Sequence, residues 1–330
     1  SYHYLMRRSL TMEEYKIVLM KRKKYNNKVR FKDRVVDLFL DSGAFSADSQ
    51  GATISLKDYA AFIKKYEKYI SVYANLDVIG DAEASYKNQL RMERMGLSPM
   101  PVFHANEDFK YLHLYIKKYN YIGLGGTARA GQIARDNFMD KCFNIICDSK
   151  DRMPKVKVHG FGLTSIRHMT RYPWYSVDST SWILTGRMGY IFVPRSRNGK
   201  WVYDEASRKY GVSNKSPSVK VAGQHIDNLS EGARKMVMSY VEEKGFVLGK
   251  SEFKMKPQTY ELKENECWFE KKPKSSTDKR KVEIIIEPGL RNMNKQRDQL
   301  NIMFFLDLEK SAPKWPWPFE LERKPESLFN

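Results

Sequence analysis

From residue 35 the chain alternates short apolar runs with amphipathic segments, and this rhythm limits its fold more than any other feature. VVDLFLD (35–41), SVYANLD (71–77), MPVFH (100–104), YIGLGG (121–126), KVKVHGFG (155–162) and WYSVD (174–178) read as strands. Between them, SLKDYAAFIKKYEKYI (55–70, opened by Ser55), EASYKNQLRMERM (83–95), EDFKYLHLYIKKY (107–119), GQIARDNFMDKCFNII (131–146) and TSIRHMTRY (164–172) read as helices. Strands separated by helices cannot pair as hairpins, so an α/β fold with a parallel sheet is predicted.

Beyond Asp178 the pattern thins. GYIFVPR (189–195) is compatible with a seventh strand, and residues 196–228 are polar and irregular. LSEGARKMVMSYVEEKG (229–245) predicts a helix stopped by Gly245, followed by strand KVEIIIE (281–287) and a long helix over 291–310. No linker is visible, so residues 1–330 read as a single catalytic domain. Its recognisable core is 35–195, and 196–330 complete it and add nucleic-acid-binding elaborations.

The ends of the predicted strands carry the chemistry. In order they are Asp41, Asp77, His104, Gly125-Gly126, His159-Gly160 and Asp178. Any one of these is compatible with a helix cap or a turn, but six in succession mark a rim. In a TIM (β/α)8 barrel that rim is where active sites are built, whereas a doubly wound sheet shares the pattern less completely. GLGGTA also matches a dinucleotide fingerprint through Gly123, Gly125 and Ala128, yet it stands at the fourth strand rather than the first. Backbone approach to a flat ligand explains its glycines equally well.

Charge points to a partner. Lys and Arg total 58 against 39 Asp and Glu, a net of +19, and an excess of this size favours a polyanion. Lys21, Arg22, Lys23 and Lys24 begin a run to Arg34 with eight basic residues and one acid, and Lys271 and Lys272 begin a second run to Lys281. Neither run sits on an obvious amphipathic helix, which disfavours a membrane surface. No stretch is apolar for long enough to span a bilayer, the first residues lack a signal-peptide core, and three cysteines make no disulfide framework. A cytoplasmic protein is expected.

Metal-ligand spacing is absent: no CxxC, HxH or HExxH occurs, although Asp41, Asp77, Asp81, His104 and His159 would offer ligands if they converged. Two aspartates flanking a sugar carbon permit double displacement instead, one attacking and the other moving protons. A leaving base would then be held flat on Phe45 and read at its edge by Asp77, His104 and backbone amides near Gly125 and Gly126. Trp174 and Trp182 offer further stacking faces or simply pack in the core.

DSGAF, NLD, VFH, GLGGTA, HGFG and VDSTSW follow one another in an order that resembles the tRNA-guanine transglycosylases over about residues 35 to 195. The resemblance implies a TIM barrel with insertions, with Asp178 as nucleophile and Asp41 as general acid/base. It implies Phe45 as the stacking face, and Asp77, His104, Gly125, Gly126, His159 and Gly160 around the base. His104 stands where those enzymes carry glutamine, and the CxCxxC…H zinc subdomain of the tRNA enzymes is missing. A basic, zinc-free chain is most similar to the DpdA-like DNA transglycosylases of phages and bacterial modification islands. They exchange guanine in DNA for a 7-deazaguanine such as 7-cyano-7-deazaguanine and need no cofactor. On that resemblance Arg187, Arg195 and Arg197 join the two lysine runs as DNA contacts, and a phage-encoded chain would act in the host cytoplasm. The alternatives are the same exchange on tRNA, or a metal-dependent nuclease using Asp41, Asp77 and Asp81.

Overall fold

The computed structural model describes residues 38–127, 130–163, 165–216, 221–270 and 279–321, without the side chains of Phe45 and Ser46. Two compact units emerge. The first takes the described parts of Ser1–Leu163 and Trp315–Asn330 together with Tyr172–Asp178, and the second takes those of Thr164–Arg171 and Ser179–Lys314. The chain passes between them repeatedly, so no single linker exists for the sequence to display.

In the first unit β1 (Leu38–Leu40) leads through α1 (Ala44–Asp48) and α2 (Leu56–Tyr66) to β2 (Ile70–Tyr73). Then follow α3 (Ala82–Arg94), β3 (Val102–His104), α4 (Phe109–Lys118), β4 (Tyr121–Gly125), α5 (Gln132–Ile146), β5 (Lys157–Gly160) and β6 (Ser176–Val177). Side chains cap the helix starts: Ser55 accepts from the Asp58 amide, Asp81 from Ala84 and Asp108 from Lys110. Asp81 is exposed and occupied as a cap.

All six strands are parallel and lie in sequence order. β1 pairs with β2, β3 to β6 form one sheet, and a bridge between Ala74 and Met100 joins the two groups. The sheet is curled. Strands lie about 4.8 Å apart, so β1 and β5 would stand on the order of 19 Å apart in a flat sheet. Yet the rings of Phe39 and His159 stack at 4.4 Å, and Phe39 also meets Phe161 at 5.8 Å. Outside the strands, the apolar faces of α2 and α3 bury Tyr59, Ile63 and Met92 with Leu40 and Leu76. The tail returns to seal this unit: Phe319 stacks on Tyr172 at 5.4 Å beside Phe143, and its amide and carbonyl both bond Arg152.

The second unit includes α6 (Ile166–Arg171) and α7 (Ser181–Arg187), then β7 (Tyr190–Val193), β8 (Arg195–Arg197), β9 (Lys200–Val202) and β10 (Arg208–Gly211). α8 (Glu231–Glu243), β11 (Lys250–Lys256), β12 (Glu266–Trp268), β13 (Arg280–Glu287) and α9 (Asn294–Ser311) complete it. The candidate seventh strand does form, as β7, but it pairs antiparallel with β10. β11, β13 and β12 make a separate antiparallel sheet. Buried Asn301 of α9 ties the unit together, accepting from the Phe192 amide and donating to the carbonyls of Trp182 and Tyr190. Gly245 adopts φ +77° at the end of α8, where that left-handed turn favours glycine. Among the described residues no helix is long and apolar enough to cross a membrane.

Candidate functional site

The rim predicted from the sequence exists in the first unit. Asp41 follows β1, Asp77 lies beyond β2, His104 ends β3, Gly125 ends β4, Gly160 ends β5 and Asp178 follows β6. The curl brings the two ends of this series within electrostatic reach: the charge of Asp41 raises the pKa of both Asp77 and Asp178.

One half of the rim is a buried chain of acids around an imidazole. His104 Nε2 lies 3.5 Å from Asp77 Oδ2, and Nδ1 lies 3.3 Å from Glu107 Oε1, whose other oxygen accepts the His104 amide at 2.9 Å. Burial pushes Asp77 up to about 7, opposed by His104 and reinforced by Glu107 and Asp41. Burial alone would lower His104, but the Glu107 hydrogen bond and the two neighbouring carboxylates hold it above its ordinary value. Asn75 Nδ2 donates to Asp77 at 3.2 Å and to the Ser85 carbonyl at 2.9 Å. Among the described residues its buried Oδ1 has no hydrogen-bond partner.

The other half holds Asp178. The Gly162 amide donates to its carboxylate, its own amide donates to Gly160 and its carbonyl accepts from Leu163. Gly162 sits at φ +61°, the turn that aims its N–H at the carboxylate. Protein surroundings push the Asp178 pKa up; the Gly162 bond opposes this and Asp41 adds to it. The side chain remains 55% exposed, so it is open to a reactant. Beneath it, buried His159 bonds Ser176 through Nδ1 at 2.6 Å, and Ser176 meets the Tyr121 hydroxyl at 2.5 Å. Burial depresses His159 to about 3, so its ring is neutral.

The glycines of GLGGTA make room for side chains. A Cβ on Gly125 would lie 2.8 Å from His104 Cδ2, and one on Gly123 2.7 Å from Phe161 Cε2. Gly126 needs its φ of +75°. α5 begins only at Gln132, with Gly131 as its cap, seven residues beyond the end of β4 rather than directly after it. Gly160 instead packs on the Trp174 ring, where a Cβ would stand 3.1 Å from Cζ3.

The remaining expected residues are placed as follows. Trp174 is buried against Phe143, while Trp182 lies on α7 of the second unit. Arg187 and Arg197 are exposed in the second unit, and Arg195 is engaged by Asp204. Lys21, Arg22, Lys23, Lys24, Lys271, Lys272 and the Phe45 side chain lie outside the described residues. Among the described residues no three His, Cys, Asp or Glu side chains converge to hold a metal ion. Three participants were missed in the sequence. Glu107 stands at i+3 from His104 and could have been found by that spacing, Ser176 lies inside YSVD, and Gly162 is the second glycine of HGFG. No protein-family model, curated protein or solved structure matches the chain.

Proposed function

We propose that the chain is a base-exchanging transglycosylase that replaces guanine in DNA with a 7-deazaguanine such as 7-cyano-7-deazaguanine. The observation that carries this is that Asp41 lies close enough to Asp178 for its charge to raise the Asp178 pKa, with the Asp77–His104–Glu107 cluster at and beyond the ends of the strands between. Consecutive parallel strands and the stack of Phe39 on His159 support a TIM-type barrel as the frame.

In this reading the target nucleotide leaves the duplex stack, at a cost of about a few kcal/mol, and its base enters the rim. A carboxylate oxygen of Asp178 attacks C1′ as the bond from C1′ to N9 breaks, and Asp41 delivers the proton that guanine takes with it. The product is a deoxyribosyl ester of Asp178. The incoming 7-deazaguanine then gives its N9 proton to the Asp41 carboxylate, and N9 attacks C1′ to expel Asp178. Protons balance over the cycle, and Asp77 and His104 read the base edge in both halves.

Incubating the protein with a radiolabelled 7-deazaguanine and either DNA or tRNA tests the proposal. Label in DNA is expected. Label only in tRNA would move the activity to the other polymer, and label in neither would remove it.

A further inference from the structure

The sheet of the second unit carries an exposed strip that the rim chemistry does not use. Across β11 and β13, Phe253 stands opposite Glu283 and Met255 opposite Lys281, while Cys267 of β12 faces Glu283 from the other side. Directly opposed residues share a face, so these side chains form one surface. Phe269, whose amide bonds the Lys281 carbonyl, continues it. The rings of Phe253 and Phe269 meet edge to face at 4.9 Å. The Lys281 ammonium lies 4.7 Å from the first centroid and 5.1 Å from the second, and Lys215 approaches Phe269 at 5.2 Å.

This surface is open. Phe253 is 38% exposed and Met255 is 54% exposed. Its acid, Glu283, is buried, accepts a hydrogen bond from Asn214 at 2.9 Å and lies 3.8 Å from Lys215. Glu252, whose neighbours in β11 point the other way, pairs with Lys254. Among the described residues, the part of this face around Phe253, Met255 and Lys281 therefore presents phenyl rings and ammonium groups, and the next carboxylate along β13 is half-buried Glu287 at the far end.

We propose that this strip binds single-stranded nucleic acid, with bases stacked on Phe253 and Phe269 and phosphates held by Lys281 and Lys215. Interleaved aromatics and cations match the repeat of base and phosphate along an unpaired strand, and a net charge of +19 supplies the long-range attraction. An acidic protein would satisfy the lysines but leave the exposed Phe253 ring unused. Binding here does not require the exchange chemistry, so the two proposals stand or fall separately.

The test is fluorescence anisotropy of a labelled, mixed-sequence DNA oligonucleotide titrated with the full chain at several salt concentrations. Phe253→Ala is expected to weaken binding about tenfold with the salt dependence unchanged, and Phe253→Trp to retain affinity. Lys281→Gln is expected to lower the slope of log affinity against log salt by about 0.7. A thermal melt matching the parent confirms that each variant folds. Parent-like affinity and slope in folded Phe253→Ala and Lys281→Gln would overturn the proposal. So would variants that keep oligonucleotide binding while losing adhesion to phosphatidylserine vesicles.

Discussion

The Nε2 atom of His159 stands 3.9 Å from Oδ1 of Asp178 and has no hydrogen-bond partner among the described residues. Burial raises the Tyr121 pKa, so its phenol is a donor at neutral pH. With Tyr121 donating to Ser176 and Ser176 donating to Nδ1, the neutral ring carries its proton on Nε2, facing the carboxylate. Replacing the ring tests whether that donor positions Asp178. His159→Phe keeps the stack on Phe39 but removes the donor. Exchange should fall about 10- to 100-fold through kcat, and the acid limb of the pH–rate profile should move to higher pH. An unmoved limb would leave His159 with a packing role alone.

Asp178→Asn preserves an acceptor for the Gly162 amide and removes the proposed nucleophile. It should bind DNA like the parent and incorporate no label, and no covalent complex should survive denaturing electrophoresis. Asp41→Asn should still bind but turn over about 10²- to 10⁴-fold more slowly. Turnover retained in the Asp178 variant would take that residue out of the mechanism.

The Asp77–His104 cluster sets a pH dependence of stability. Burial raises Asp77 to about 7 in the fold against an ordinary carboxylate value of 3.8, so the folded state holds its proton to higher pH than the unfolded state does. Stability therefore falls as pH rises from about 4 through about 7. His104, raised above 6.5, acts with the same sign as it loses its proton at higher pH. Asp77→Asn should flatten this fall, seen as urea midpoints that change less between pH 4 and pH 7 than those of the parent.

Phe143 is fully buried, stacked on Tyr172 at 5.0 Å and edge-on to Trp174 at 4.8 Å. Phe143→Ala should cost about 3–5 kcal/mol in urea unfolding. A loss below about 1 kcal/mol would show that the aromatic cluster closes over the gap.

The strand ends were legible because each breaks an apolar run with a polar or glycine residue, and the helices because their caps and periodicity agree. Periodicity says nothing about which distant strands meet, so the contact of Phe39 with His159 had no signature. The same limit hid the antiparallel pairing of β7: YIFV is equally apolar beside either kind of neighbour. Glu107 read as the start of a helix because its second role depends on the side-chain direction of His104. GLGGTA suggested a ligand cradle, whereas Gly123 and Gly125 leave space for Phe161 and His104.

Phe319, inserted beside Phe143 and Tyr172, also has a consequence for biosynthesis. Synthesis runs from the amino end, yet the aromatic centre of the first unit lacks its final ring until Trp315–Leu321 clears the ribosome. Residues 38–314 must already have emerged by then. Nascent chains stalled before that point would leave the Phe143 and Tyr172 rings without their Phe319 cover.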